Sequence, residues 1–155
     1  MYIIPAIDIL DGKVVRLREG DYNQKTEYNV SIEEMIEKYR SNGTDFIHII
    51  DLNGAKGDFS NQKTLFDIIK KTEMRVQYGG GIRTIEQVTH LLDSGIHRVI
   101  VGTQAISNPD FLANLSKEIA HKKEEYANKI VIAIDVLDDC LLYTSPSPRD
   151  RQKSR

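Results

Sequence analysis

A short apolar run, Ile3-Ile4-Pro5-Ala6-Ile7, ends in Asp8, and the chain returns to the same pattern near its other end, at Ile130-Val131-Ile132-Ala133-Ile134-Asp135. Setting Asp8 against Asp135 also matches Ile3, Ala6, Ile7, Leu10 and Asp11 with Ile130, Ala133, Ile134, Leu137 and Asp138. Runs this apolar, closed by an acid and turn residues, predict strands buried on both faces, as in a parallel sheet. A pattern that recurs within one chain predicts a duplicated unit. It would stand two carboxylates at equivalent places in two half-units, the arrangement an acid/base pair needs.

Between the two runs, strand-like and helix-like stretches alternate. Lys13-Val14-Val15-Arg16-Leu17 alternates in polarity and predicts a hairpin arm, and the polar stretch from Arg18 to Asn29, with Gly20, predicts a mobile loop over a site. Ser31-Ile32-Glu33-Glu34 and Thr84-Ile85-Glu86-Gln87 are capping boxes that open helices, stopped by Asn42-Gly43 and Gly95. Phe46 to Asp51, Arg75 to Tyr78 and Arg98 to Val101 read as strands. Leu65, Ile68 and Ile69 mark one helix between them, and Asn108-Pro109 opens another whose buried face is Phe111, Leu112, Leu115 and Ile119. Strict β-α alternation predicts α/β architecture with a parallel sheet and right-handed crossovers. An open doubly wound sheet and a (β/α)8 barrel are the two closures. A barrel takes about 250 residues and eight strands, and a chain of 155 residues carries about five. Four β-α units followed by a repeat of the first strand predict the barrel fold as a half-barrel, over residues 1–139.

Residues 140–155 break this pattern. Ser145-Pro146-Ser147-Pro148 suits neither helix nor strand, and Arg149, Arg151, Lys153 and Arg155 crowd the end. A basic nucleic-acid arm and a solvated disordered run are two readings. The preferred one is that Cys-Leu-Leu-Tyr-Thr-Ser-Pro-Ser-Pro-Arg-Asp resembles a translated sequencing adapter, a non-native tail that takes no part in the fold.

With 40% apolar and 28% charged residues the chain is ordinary globular protein, and its net charge of -2 gives no overall basic field to recruit nucleic acid or membrane. One cysteine, Cys140, allows no internal disulfide and fits a reducing compartment. No apolar run reaches membrane-spanning length, and Pro5 and Asp8 interrupt any signal-peptide pattern. The expected location is the cytoplasm.

Candidate chemistry gathers where strands end. Gly79-Gly80-Gly81 lies between a strand and a helix start, where glycine lets backbone N–H groups approach a phosphate; Gly102-Thr103 does the same on the next strand. The plain alternative is a tight turn, but two such turns on neighbouring strands favour one phosphate cradle. Asp8, Asp51 and Asp135 all end strands at the carboxyl face, where ligands bind in these folds. A lone Asp there is as readily a cap. A carboxylate pair across a pocket divides acid and base work, and spacing does not say which is which. Arg83 is either an anion contact or a solvated residue at a helix start. His48, within a strand, reads as a packing histidine, and His90, His97 and His121 share no ligand spacing, so no metal site is expected.

Ile4-Pro5-Ala6-Ile7-Asp8, Asp11-Gly12-Lys13-Val14-Val15-Arg16-Leu17, Gly20-Asp21-Tyr22, Asp51-Leu52-Asn53-Gly54-Ala55-Lys56, Gly79-Gly80-Gly81-Ile82-Arg83 and Val101-Gly102-Thr103 together resemble the histidine-biosynthesis isomerases that act on phosphoribosylformimino-5-aminoimidazole carboxamide ribotide. The resemblance runs from Met1 to about Asp139. It implies a barrel of two half-barrels and an Amadori rearrangement of an aminoaldose to an aminoketose, with no cofactor and no metal. It also implies that Asp8 is the base at sugar C2 and Asp135 the acid in ring opening. Gly81, Gly102 and Thr103 would hold phosphate, with Arg83 and Asp51 touching substrate. The partner is then a small phosphorylated sugar. The full-length parent is expected to be a monomer, and the short chain to self-associate through open strand edges. The cyclase subunit of imidazole glycerol phosphate synthase shares the triple glycine and the strand-end acids. Pro5-Ala6-Ile7-Asp8 and Val101-Gly102-Thr103 favour the isomerase, with a form that also isomerises phosphoribosylanthranilate left open. The reading from another class is a non-catalytic half-barrel that at most binds phosphate.

Overall fold

The computed structural model describes residues 3–126, 128–134, 136–137 and 140–141. The chain opens with three strands joined by two-residue turns: β1 (Ala6–Leu10), β2 (Lys13–Arg18) and β3 (Asp21–Glu27). Asp11-Gly12 and Glu19-Gly20 make the turns, all four residues at positive φ, the twist that matches strands in a tight hairpin. The segment read as a mobile loop is therefore mostly strand β3. Its polar composition hid it, because at a sheet edge both faces meet water. Tyr22 ties it down by donating from its hydroxyl to the Leu52 carbonyl at 3.3 Å.

Helix α1 (Ile32–Ser41) follows, then β4 (Phe46–Asp51), a one-turn helix α2 (Leu52–Ala55), α3 (Asn61–Thr72) and β5 (Arg75–Gly79). Next come α4 (Ile85–Asp93), β6 (Arg98–Val101), α5 (Thr103–Ser107), α6 (Pro109–Glu118), a 3-10 turn (Ala120–Lys122), α7 (Lys123–Tyr126) and β7 (Ile130–Ile132). Both capping boxes form: Ser31 and Glu34, and Thr84 and Gln87, each exchange backbone and side-chain bonds. Leu112, expected inside, is 38% exposed, whereas Phe111 and Leu115 are buried. The four-residue spacing of the buried pair defines the stripe, and Leu112 lies just off it.

The main sheet runs β3-β2-β1-β4-β5-β6-β7. Five strands, β1 and β4 to β7, are parallel, as the alternation predicted, and the hairpin extends one edge antiparallel. Ile7, Ile9, Ile47, Ile49, Val76, Tyr78, Val99 and Val101 point to the helices and make one core with Ile36, Leu65, Val88, Leu91 and Leu115. The alternate residues face the other side. Register aligns Asp8, Ile50, Gly79, Ile100 and Val131 in one row on that face, and Ala6, His48, Gln77 and Arg98 in the row below. Five parallel strands with helices on one face are the first part of a (β/α)8 barrel, and this second face is the barrel's interior.

Beyond β7, Val136–Leu137 (β8) pairs antiparallel with Cys140–Leu141 (β9). Paired structure thus extends two residues past 139. Asp135, and residues 142–155 of the expected tail, lie outside the described residues.

Candidate active site

Asp8 stands in the interior row, half-buried, level with Ile50 and Gly79. Burial pushes its carboxyl above the ordinary range, while the fields of His48 and Arg16 pull the other way. Beside it, Leu10, Val15 and Leu52 are buried in a small apolar cluster with Leu17, Tyr22 and Ile50, separate from the main core. Two of its members, Val15 and Ile50, are the strand partners of Asp8 on either side.

Two residues further along the chain from Gly79 and Ile100, just past the ends of β5 and β6, come Gly81 and Gly102. The turns after β5 and β6 therefore sit one layer above Asp8 on neighbouring parallel strands, at the same end of the sheet. Gly102 precedes α5, and Thr103 is its first residue, exposed. The triple glycine has a packing reason of its own. A Cβ on Gly80 would lie 2.3 Å from the Asp51 carbonyl oxygen, and one on Gly81 1.7 Å from that of Gly54. The two turns are in backbone contact, which no larger residue permits. Arg83 fastens the same junction, Nη2 donating to the Ala55 carbonyl at 3.0 Å.

Asp51 corrects an expectation. It pairs in register with Ile9, one residue beyond Ile50, and so faces the helices rather than the interior. It is fully buried. Its Oδ1 accepts from the N–H groups of Asn53 and Gly54, each at 3.1 Å, and from Asn61 Nδ2 at 2.9 Å. Its Oδ2 accepts from the Tyr78 hydroxyl at 2.8 Å. Asp51 is the cap of α2 and the hub of a buried network, both of its carboxylate oxygens accepting from protein donors. Asn53 and Asn61, which sequence reasoning passed over, carry that network to the β1–β2 turn. Asn53 Oδ1 accepts from Asp11 N–H at 2.7 Å, Asn53 Nδ2 returns a bond to Asp11 Oδ1 at 2.9 Å, and Asn61 Oδ1 accepts from Gly12 N–H at 3.1 Å.

His48 lies within a strand with its ring partnered, as a satisfied packing histidine would. It lies on the interior face, its Nδ1 2.8 Å from Gln77 Nε2, and it shares an electrostatic field with Asp8. Parity within β4 carried the signal, since His48 alternates with the helix-facing Ile47 and Ile49. Among the described residues no group of three His, Cys, Asp or Glu could hold a metal, and no helix is long and apolar enough to cross a membrane.

A parallel half-barrel with an acid on its inner face and glycine turns at its carboxyl rim defines the class: the first part of a (β/α)8 barrel, a fold whose sites lie at that rim. The profile of the family described as histidine biosynthesis protein matches residues 2–150, and the chain belongs to that family. Curated relatives carry the name 1-(5-phosphoribosyl)-5-((5-phosphoribosylamino)methylideneamino)imidazole-4-carboxamide isomerase. That of Oceanobacillus iheyensis is 42% identical over 136 residues, 87% of this chain and 54% of the relative. That of Geobacillus kaustophilus is 41% identical over 137 residues, 88% and 53% respectively. That of Methanococcus voltae is 41% identical over 140 residues, 89% and 55%. The chain spans about half the length of the curated relatives it matches.

Proposed function

We propose that this chain carries the first half of the active site of an isomerase of histidine biosynthesis. The reaction converts phosphoribosylformimino-5-aminoimidazole carboxamide ribotide, an aminoaldose, into its aminoketose. The observation that carries the reading is Asp8, half-buried on the barrel's inner face one layer below two glycine turns of neighbouring strands. The names of the relatives supply the substrate.

In this reading a phosphate of the substrate rests on the backbone at Gly81, Gly102 and Thr103, with Arg83 at the edge. Asp135 gives a proton to the ribose ring oxygen as the C1–O bond breaks, leaving an imine at C1. Asp8 then takes the C2 proton of the protonated imine and the C2–H electrons form the enol-amine; Asp8 returns that proton to C1 as the 2-hydroxyl proton passes to Asp135, which yields the ketose and restores both acids. Hydrogen only moves within the substrate, so the net reaction calls for no electron carrier. Asp51 acts at a distance, by holding the turn on which Gly80 and Gly81 pack. The location consistent with a free phosphorylated substrate is the cytoplasm.

The test is a chimera of this chain with the C-terminal half of the Oceanobacillus iheyensis relative, assayed for turnover of the ribotide. Formation of the aminoketose supports the reading. Ammonia-dependent cyclisation of that ketose would instead favour the cyclase, and phosphate binding without turnover would favour a non-catalytic half-barrel.

A further inference from the structure

We propose that Gln77 and His48 form a positioning pair for Asp8: the Gln77 amide donates to imidazole Nδ1, which leaves the imidazole proton on Nε2 as a donor on the face that Asp8 lines. The geometry is a chain across three strands. His48 is in register with Gln77, and Gln77 with Arg98, so all three share the inner row directly below Asp8. Gln77 Nε2 lies 2.8 Å from His48 Nδ1. An amide nitrogen has only protons to offer, so Nδ1 must be the acceptor.

An imidazole whose Nδ1 accepts carries its single proton on Nε2. Burial lowers its basicity and so favours the neutral ring, against the pull of the Asp8 charge. The titratable groups whose fields reach Asp8 are His48 from β4 and Arg16 from β2. A neutral N–H donor in this place favours the carboxylate form of Asp8 without a full charge that would make it a weaker base. His48 is thus a positioning residue: it sets the state in which Asp8 meets substrate.

The inference rests on the isomerase reading only for its effect on turnover, because the tautomer belongs to the chain itself. Long-range proton–nitrogen correlation on the labelled chain reads it directly. The expected spectrum at neutral pH shows His48 protonated at Nε2 and bare at Nδ1, and Gln77→Glu moves a proton onto Nδ1. His48→Gln, which keeps a donor at the Nε2 position, leaves the carbon-detected titration of Asp8 in place, and His48→Phe shifts it upward. In the chimera, His48→Phe loses kcat with KM held, and His48→Gln recovers much of it. A wild-type proton on Nδ1, or an Asp8 titration indifferent to His48→Phe, overturns the proposal. An inactive chimera with the expected tautomer overturns the isomerase reading and leaves the pair standing.

Discussion

A methyl group on Gly81 would stand 1.7 Å from the carbonyl oxygen of Gly54. The turn after β5 therefore lies directly on the turn after β4, and the triple glycine is required by backbone against backbone before any ligand arrives. Gly81 also sits at φ +66, and a side chain there adds about 1–2 kcal/mol of left-handed strain. Gly81→Ala is expected to lower stability by on the order of 3 kcal/mol in urea unfolding. Gly43→Ala is the control, since Gly43 has φ +86 and nothing within 4 Å of a Cβ. It should cost only the strain. Equal losses for the two variants would show that the contact is not what demands glycine.

Tyr78 is fully buried, and its hydroxyl donates to Asp51 Oδ2. Tyr78→Phe removes the donor to that oxygen and leaves a buried carboxylate short of a partner. The expected cost is about 2 kcal/mol, the scale of a lost hydrogen bond to a charged group. Chemical denaturation measures it, and a loss under 0.5 kcal/mol, small beside that scale, would place Asp51 outside the stabilising network.

These two residues show what the sequence made legible. Both capping boxes were readable because each is complete within four residues, and the five parallel strands followed from the alternation. Asp51 was not distinguishable from Asp8, since each follows an apolar run; in the structure Asp51 ends β4, but Asp8, expected at a strand end, lies in the middle of β1. What separates them is register: Asp8 pairs with Ile50, and Asp51 with Ile9 on the opposite face. A strand buried on both sides gives no polar alternation from which to read its faces. His48 was legible by parity, alternating with Ile47 and Ile49, although its row partner Gln77 was not. Strand β3 went unseen for the opposite reason, having too few apolar residues to show a period.

Glu27 on β3 lies between Lys13 at 2.8 Å and Lys25 at 2.9 Å. Its hydrogen bonds to both lysines hold its carboxyl down to about 2. A carboxyl lowered in the folded state contributes stability above its ordinary value of 4.5 and loses it as pH falls toward about 2. Acid titration by NMR should therefore find Glu27 ionised well below pH 4, with the β2–β3 pairing loosening only as it protonates. Because the ions are exposed, added salt should move the midpoint back toward the ordinary range. A midpoint near 4.5 at low salt would contradict the pairing.

Asp8 has the reverse sign. Its folded carboxyl is raised above the unfolded 3.8, chiefly by burial. The proton it holds favours the folded state at low pH, and that advantage disappears as pH rises through the folded value. At neutral pH the ionised group is thus a burden on the fold. Asp8→Asn, of the same shape and uncharged, is expected to raise the melting temperature of this chain at pH 7 and to matter less at pH 3. A lower melting temperature at pH 7 would mean that the carboxylate is held by partners stronger than His48 and Arg16.

The central claim is that Asp8 is the base. It is tested most directly by ribotide turnover in the chimera with the Oceanobacillus iheyensis C-terminal half, wild type against Asp8→Asn. A positioned proton acceptor contributes a factor of about 10²–10⁴, so kcat should fall by at least that much while the ribotide still binds with similar affinity. Turnover unchanged by Asp8→Asn would contradict the account.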